Sequence, residues 1–99
     1  MMTGRLFAVV RERGPAWDPG ATMEVQPGWS GHARFMNALV DAGFVLLGGP
    51  LGAEERFLLI VRAKGEDEIR ATLAADPWSD DQLVVGSIEP WTLRLGELP

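Results

Sequence analysis

Three short, uninterrupted apolar runs constrain the fold of this chain more than any other feature. They cover residues 6–10 (LFAVV), 44–47 (FVLL) and 57–61 (FLLIV). A strand that is wet on one face alternates apolar and polar side chains, whereas a continuous run indicates burial on both faces. We therefore predict three strands buried on both faces, with the charged residues 11–13 bringing the first of them to the surface.

Residues 29–43 have the period of an amphipathic helix and carry the chain's one histidine. Gly43 follows the last periodic residues, in the usual position for ending a helix. Because histidine is the residue type that changes charge near neutral pH, its place on the inward face is notable. The residues predicted on that inward stripe are His32, Phe35, Met36, Leu39, Val40 and Gly43, and those predicted on the opposite side are Arg34, Asn37 and Asp41.

A second helix is predicted after the third apolar run. The acidic residues 66–68 suit the positive end of a helix dipole, so they indicate its first turn. Ile69, Leu73 and Asp76 then share one face. Pro77 ends the helix at Asp76, because helical geometry is disfavoured for the residue before a proline.

A last strand completes the order β, long loop, α, β, β, α, β. It is formed by residues 83–85 and 88–95, with interruptions at Gly86 and Pro90. The short link at 50–56 predicts an antiparallel hairpin between the second and third strands. Two right-handed crossovers around that hairpin give an α+β fold, the ferredoxin-like βαββαβ sandwich with a four-stranded antiparallel sheet. Ninety-nine residues have room for one domain, 1–99.

This sandwich leaves one face of its sheet uncovered. Two helices cover one face, and nothing else in the chain can cover the other, although the first three strands are apolar on both sides. Such a face exceeds the roughly few hundred Å² of apolar surface that soluble monomers usually expose. We expect a second copy to pack sheet to sheet by two-fold symmetry, which makes the protein a homodimer.

Composition excludes several classes of function. Nine basic and fourteen acidic residues give a net charge of −5, and the bases are scattered, so neither nucleic acid nor a membrane surface is an expected partner. Cysteine is absent and no carboxylate cluster suits zinc, so no metal and no cofactor are expected. No P-loop, Rossmann or GxSxG motif is present. With no membrane span or signal peptide, a soluble cytoplasmic protein is the default expectation.

Residues 14–28 form an unusually long irregular connection. Three prolines and three glycines within it oppose helix and regular strand pairing. Connections between elements usually have about 4–6 residues, and much longer ones are often functional. Trp17 lies near its start and Trp29 just after its end. The two indoles form either a small core that holds the loop or an aromatic lid over a ligand pocket, and both can hold together.

His32 and Asp76 are the candidate catalytic residues. Both lie on inward faces of helices that would be neighbours on one sheet face. A carboxylate bonded to one imidazole nitrogen fixes the tautomer and raises the basicity of the other nitrogen, so His32 is a candidate general base. Spacing alone favours a satisfied core histidine and a helix-end aspartate, because structural ion pairs need no function.

Asp41 is the rival partner, but it lies near the opposite side of the helix. Trp78 is either a pocket wall or an anchor.

The loop start GPAWDPG, His32 on the first helix, GFVLLGGP at 43–50 and Asp76-Pro77-Trp78 together resemble the YCII-related (YciI-like) family over nearly the full length. The resemblance implies a ferredoxin-like chain that pairs into a dimeric α+β barrel. It also implies a His–Asp dyad lining a pocket, at His32 and Asp76 of this sequence. The long, Trp-bearing loop looks like that of a longer-loop branch.

Two functional hypotheses of different class follow. The first is a cofactor-independent enzyme, lyase- or isomerase-like, in which His32 moves a proton of a small, often aromatic molecule and Asp76 orients it. Trp17, Trp29 and Trp78 would bury that ligand. The alternative is a non-catalytic small-molecule binding or stress-response module that uses the same pocket, and a purely structural dimer remains a third option.

Overall fold

The computed structural model describes residues 4–99, so the first three residues of the predicted 1–99 domain lie outside it. The four strands form one sheet in the order β2-β3-β1-β4, with every neighbouring pair antiparallel. This α+β fold is consistent with the predicted ferredoxin-like sandwich, and the antiparallel β2–β3 hairpin is confirmed. The elements are β1 (Arg5–Arg13), a 3-10 turn (Met23–Val25), α1 (Trp29–Asp41), β2 (Val45–Leu51), β3 (Arg56–Ala63), α2 (Glu66–Leu73) and β4 (Leu83–Pro90).

Two glycines set the ends of α1. Gly28 and Gly43 both have a φ of 79°, in the left-handed region that glycine adopts without a steric cost. Beyond the helix, the N–H of Gly43 donates to the carbonyl of Val40 and that of Phe44 to the carbonyl of Leu39, both at 3.0 Å. This pair of bonds is the Schellman arrangement. It confirms the predicted role of Gly43 and leads the chain into β2.

The main core lies between the two helices and one face of the sheet. Met36 and Leu39 of the predicted α1 stripe pack against it, whereas Val40 is 51% exposed, so the stripe is narrower than its sequence pattern. Burial of this apolar surface is the main source of stability in a fold of this size. The buried side chains of this core are Phe7, Val9, Val45, Leu59, Val61, Ala63, Ile69 and Leu73.

The opposite face of the sheet is covered by neither of the two helices. β1 alternates between buried and half-buried side chains, and Leu47 on β2 is 47% exposed. Strand register places Leu47, Ile60 and Ala8 in one row across this open face. Neither helix of the described residues covers this face, so the prediction that the apolar runs are buried on both faces depends on a second copy and stays a prediction.

The strands differ from their predicted bounds in three places. β1 continues to Arg13, and Arg11, predicted to lead it to the surface, is only 2% exposed. β2 runs on to Leu51 through the glycines and proline predicted to end it, which an edge strand tolerates. β4 is a single strand that stops at Pro90, and its pairing with β1 shifts register between Val10 and Arg11.

The second helix is shorter than its sequence pattern. α2 ends at Leu73, so Asp76 lies in the turn that follows and not within the helix. Glu66 and its two acidic neighbours occupy the first turn as predicted. Among residues 4–99, no helix combines the length and the apolar character needed to cross a membrane.

Candidate functional site

The structure brings His32 and Asp76 into direct contact. The imidazole Nδ1 lies 2.8 Å from one carboxylate oxygen of Asp76 and 3.0 Å from the other. Both residues are buried, with exposed fractions of 6% and 2%. A carboxylate only accepts hydrogen bonds, so Nδ1 carries the proton and donates it. The other ring nitrogen, Nε2, has no hydrogen-bond partner within residues 4–99.

Local backbone geometry positions each partner. His32 lies in the first turn of α1, where its N–H donates to the carbonyl of Gly28 at 3.0 Å. Asp76 lies in the turn after α2, where Pro77 disfavours helical geometry. One oxygen of Asp76 accepts the backbone N–H of Trp78 at 2.9 Å. The Asp-Pro-Trp turn thus aims the carboxylate away from its own helix and toward α1.

A third buried charge, Arg11 on β1, completes the cluster. Its guanidinium donates to Asp76 at 2.7 Å and to the carbonyl of Leu83 at 3.1 Å. Sequence reasoning missed this residue because it took a charged residue as the end of a buried strand. The signal was present: Phe7, Val9 and Arg11 alternate at a period of two, so they share one sheet face. His32, Asp76 and Arg11 form what we term the buried triad.

The charge state of Asp76 follows from these contacts. Burial is the largest single influence on its pKa and raises it, because an apolar surrounding disfavours the carboxylate. The hydrogen bonds from His32, from the Trp78 backbone and from Arg11 together outweigh burial and hold the pKa of Asp76 below its usual range. Asp76 is therefore an anion at neutral pH, and Arg11 balances its charge inside the protein.

Trp78 fixes the plane of the imidazole ring. Its indole stacks on His32 with ring centroids 4.0 Å apart and an angle of 9° between the planes. Trp78 is 1% exposed, and its N–H donates to the carbonyl of Pro27 at 2.7 Å. Trp17 and Trp29 pack against the same indole, at 5.7 Å and 5.8 Å between centroids. The tryptophans thus form a small core that holds the long loop, which is one of the two interpretations of that loop.

A buried glutamine holds the loop from within. The side-chain amide of Gln26 donates to the carbonyls of Asp18 and Ala21 at 2.8 and 3.1 Å, and its oxygen accepts the N–H of Asp18 at 2.9 Å. Gln82, at the start of the β4 region, donates to that same oxygen at 3.0 Å. Gln26 itself is 2% exposed, so its side chain is buried inside the loop. The loop is therefore an ordered part of the domain.

A cavity of about 160 Å³ lies beside His32. Apolar side chains, including Met36, Phe57 and Leu59, form most of its wall, while His32 and Arg11 supply the polar groups. It is smaller than the roughly 300–1,000 Å³ of typical ligand sites. None of the three tryptophans predicted to bury a ligand lines this cavity, and the proposed binding role of Trp17, Trp29 and Trp78 stays a prediction.

The remaining sequence candidates lie elsewhere. Asp41, the rival partner for His32, is exposed at the end of α1. Within residues 4–99, no three His, Cys, Asp or Glu side chains gather in a way that could hold a metal ion. Comparison of the chain with protein-family models, with curated proteins and with solved structures gave no significant match.

Proposed function

We propose that the protein is a cofactor-independent enzyme of lyase or isomerase type, in which His32 takes up a proton from a carbon of a small, apolar or aromatic molecule. The observation that carries this proposal is the pairing of Nδ1 with a buried carboxylate, which leaves Nε2 without a partner within residues 4–99 in a side chain that lines an apolar cavity. A general base needs a nitrogen with a basic lone pair, held within hydrogen-bond reach of the proton that it abstracts.

The tautomer of His32 determines which ring nitrogen can accept a proton from the substrate. Nδ1–H donates to Asp76, so the lone pair of the neutral ring is on Nε2. When Nε2 accepts the substrate proton, the ring becomes an imidazolium whose positive charge lies directly against the Asp76 carboxylate. The ring then returns the proton to another carbon of the substrate, in an isomerisation, or to a leaving group, in an elimination. Positioned bases of this kind contribute about 10²- to 10⁴-fold in rate.

Arg11 and Trp78 position this pair. Arg11 holds one carboxylate oxygen at 2.7 Å, and the stacked Trp78 indole keeps the imidazole from rotating out of its plane. Neither residue needs to contact the substrate for this role. Their effect on the reaction is to keep Nε2 at one place on the cavity wall.

Hydrogen exchange at carbon tests the proposal without a known product. Phenylacetone and phenylpyruvate, which have acidic C–H groups beside a carbonyl, are incubated with the protein in D₂O and followed by proton NMR. We expect exchange that His32→Asn slows by about 10²-fold or more and that Asp41→Asn, the exposed carboxylate of the same helix, leaves unchanged. Exchange that is equal in the wild type and in His32→Asn contradicts the enzyme proposal.

The pH profile separates the enzyme from the alternative binding module. Protonation removes the lone pair of Nε2, so exchange should fall toward acidic pH. Binding of an apolar ligand without catalysis should depend little on pH. Saturable binding with no exchange at any pH would therefore favour the small-molecule binding or stress-response module.

We further propose that the protein works as a homodimer whose sheets pack face to face, the dimeric α+β barrel of the YCII-related family that its sequence resembles. The open face of the sheet supports this proposal. Register across β2, β3 and β1 aligns apolar side chains there, including Leu47, Ile60 and Ala8. A second copy would cover this row, as two-fold association allows.

Light scattering and sedimentation test the homodimer. We expect twice the mass of the chain at micromolar concentration. Leu47→Glu, which puts a charge on the open face, should give a folded monomer. Val40→Glu is the matched control, because Val40 is similarly exposed (51% against 47%) but lies on α1. A wild-type monomer, or dissociation by Val40→Glu alone, contradicts the proposal.

A further inference from the structure

A second cavity, of about 260 Å³, lies between the end of β1, the long loop and the β2–β3 turn. Arg13, Trp17 and Glu54 contribute to its wall from these three segments. Met23 and Phe57 line this cavity and also the cavity beside His32, so the two spaces share a wall. We term it the Trp17 cavity.

The Trp17 indole has an unsatisfied donor. Trp17 is 7% exposed, and its buried Nε1–H has no acceptor among residues 4–99. Trp78, in the same aromatic cluster, donates its Nε1–H to Pro27 at 2.7 Å. Buried indole N–H groups usually find an acceptor, and an exception calls for a partner outside the chain.

Arg13 adds a second unsatisfied donor and a positive charge. Its guanidinium carbon lies 5.1 Å from the centre of the Trp17 ring, and its buried Nε also has no acceptor within the described residues. The acid on the cavity wall is Glu54, which is exposed and forms no ion pair with Arg13 within residues 4–99. The charge of Arg13 is therefore available to an anion.

The walls of the Trp17 cavity are held in place before any ligand arrives. The Gln26 hydrogen bonds hold the loop, and the Trp17 ring packs on Phe57 at 6.0 Å and on Trp78 at 5.7 Å. Preorganised donors of this kind bind with a smaller ordering cost. Two N–H donors, one cation and an aromatic wall together match a carboxylate attached to an aromatic ring.

We infer that the Trp17 cavity is an anion subsite that takes the carboxylate of a small aromatic acid, with the Trp17 indole N–H and Arg13 as its donors. Met23 and Phe57 contact the ring of that acid. The direction of the acid, whose body extends toward His32, rests on the proposed function. The anion subsite itself does not depend on it.

Indole N–H signals in a ¹H–¹⁵N NMR spectrum test the inference in the intact protein. The chain has four tryptophans, so four such signals are expected, and Trp17→Phe identifies the one from Trp17. We expect phenylacetate to shift the Trp17 signal downfield saturably. Phenylacetamide, which keeps the ring and a carbonyl but has no charge, should bind roughly tenfold more weakly. Inorganic phosphate should also bind more weakly, because it lacks the ring.

Arg13→Met should weaken phenylacetate binding by roughly tenfold or more. Arg5→Met is the matched control, since Arg5 also lies over an aromatic ring, Phe7 at 5.5 Å, but outside this cavity. Should Arg13→Met not fold, the shift of the Trp17 signal in the wild-type protein still tests whether phenylacetate binds at this cavity. An unmoved Trp17 signal, equal shifts from phenylacetamide, or stronger binding of phosphate each overturns the inference. His32→Asn should leave the shift intact, so this result is separate from the test of the enzyme proposal.

Discussion

Two arginines on β1 are two residues apart and differ in the contacts that surround them. Arg11 is 2% exposed, and its charge is balanced by Asp76 at 2.7 Å. Arg13 is half-buried, lies over Trp17, and has no counter-ion within residues 4–99. The fold therefore gives the charge of Arg11 an internal counter-ion and gives that of Arg13 none within the described residues, although the buried Nε of each arginine lacks an acceptor there.

The presence or absence of an internal counter-ion distinguishes a charge that stabilises the fold from one that can bind a ligand. A buried cation with an internal partner holds the fold together, and removing it leaves the partner's charge uncompensated. A cation without an internal partner adds little to the fold, so its value lies in what it can bind. The comparison predicts that the same substitution lowers stability at Arg11 and weakens anion binding at Arg13.

The largest expected effect is on stability. Arg11→Met should lower the free energy of unfolding by about 3–5 kcal/mol, because Asp76 remains buried without its counter-ion. Arg13→Met should change it by less than about 1 kcal/mol. Urea unfolding followed by tryptophan fluorescence measures both. Equal losses at the two positions would remove the distinction between them.

The pH dependence of stability tests the charge of Asp76. Its folded-state pKa is lowered, so its ionisation stabilises the fold above the ordinary Asp pKa, and this stabilisation is lost as pH falls through the lowered value. Asp76→Asn should cost about 3 kcal/mol at pH 7, with a gap from the wild type that narrows below about pH 4. Urea midpoints from pH 7 to 3 measure the gap. A constant gap would show that Asp76 is not the group that titrates.

The smallest expected effect compares two indoles. Trp78→Phe loses the bond to Pro27, whereas Trp17→Phe removes an N–H that has no acceptor in the described residues. Both lose similar ring volume, so the difference reports the hydrogen bond together with the closer stacking of Trp78 on His32. Trp78→Phe should be the more destabilising by about 1 kcal/mol. An equal cost, measured by urea unfolding, would mean that Trp17 also has a structural acceptor.

The sequence predicted the features that depend on periodicity. Helical spacing placed His32 on the inward face of α1, where its ring lies 2.8 Å from Asp76, whereas Asp76, predicted on the same basis, lies in the turn beyond the end of α2. The Schellman end at Gly43 and the β2–β3 hairpin followed from local turn chemistry. These features are local, so short stretches of sequence suffice to specify them.

The features that sequence missed depend on contacts between distant segments. Arg11 is 65 residues from Asp76, and only the folded sheet shows that a charge within β1 has a buried partner. The tryptophan roles depend likewise on packing, since Trp78 stacks on His32 and no spacing rule predicts which ring faces which.

The tautomer of His32 tests the central claim most directly. The chain has one histidine, so long-range ¹H–¹⁵N correlations report a single imidazole. For the neutral ring, we expect a protonated Nδ1 bonded to Asp76 and a bare Nε2. Asp76→Asn should weaken this preference and Asp41→Asn should not. A proton on Nε2 with a bare Nδ1 would contradict the account, because the ring would then have no basic nitrogen facing the cavity.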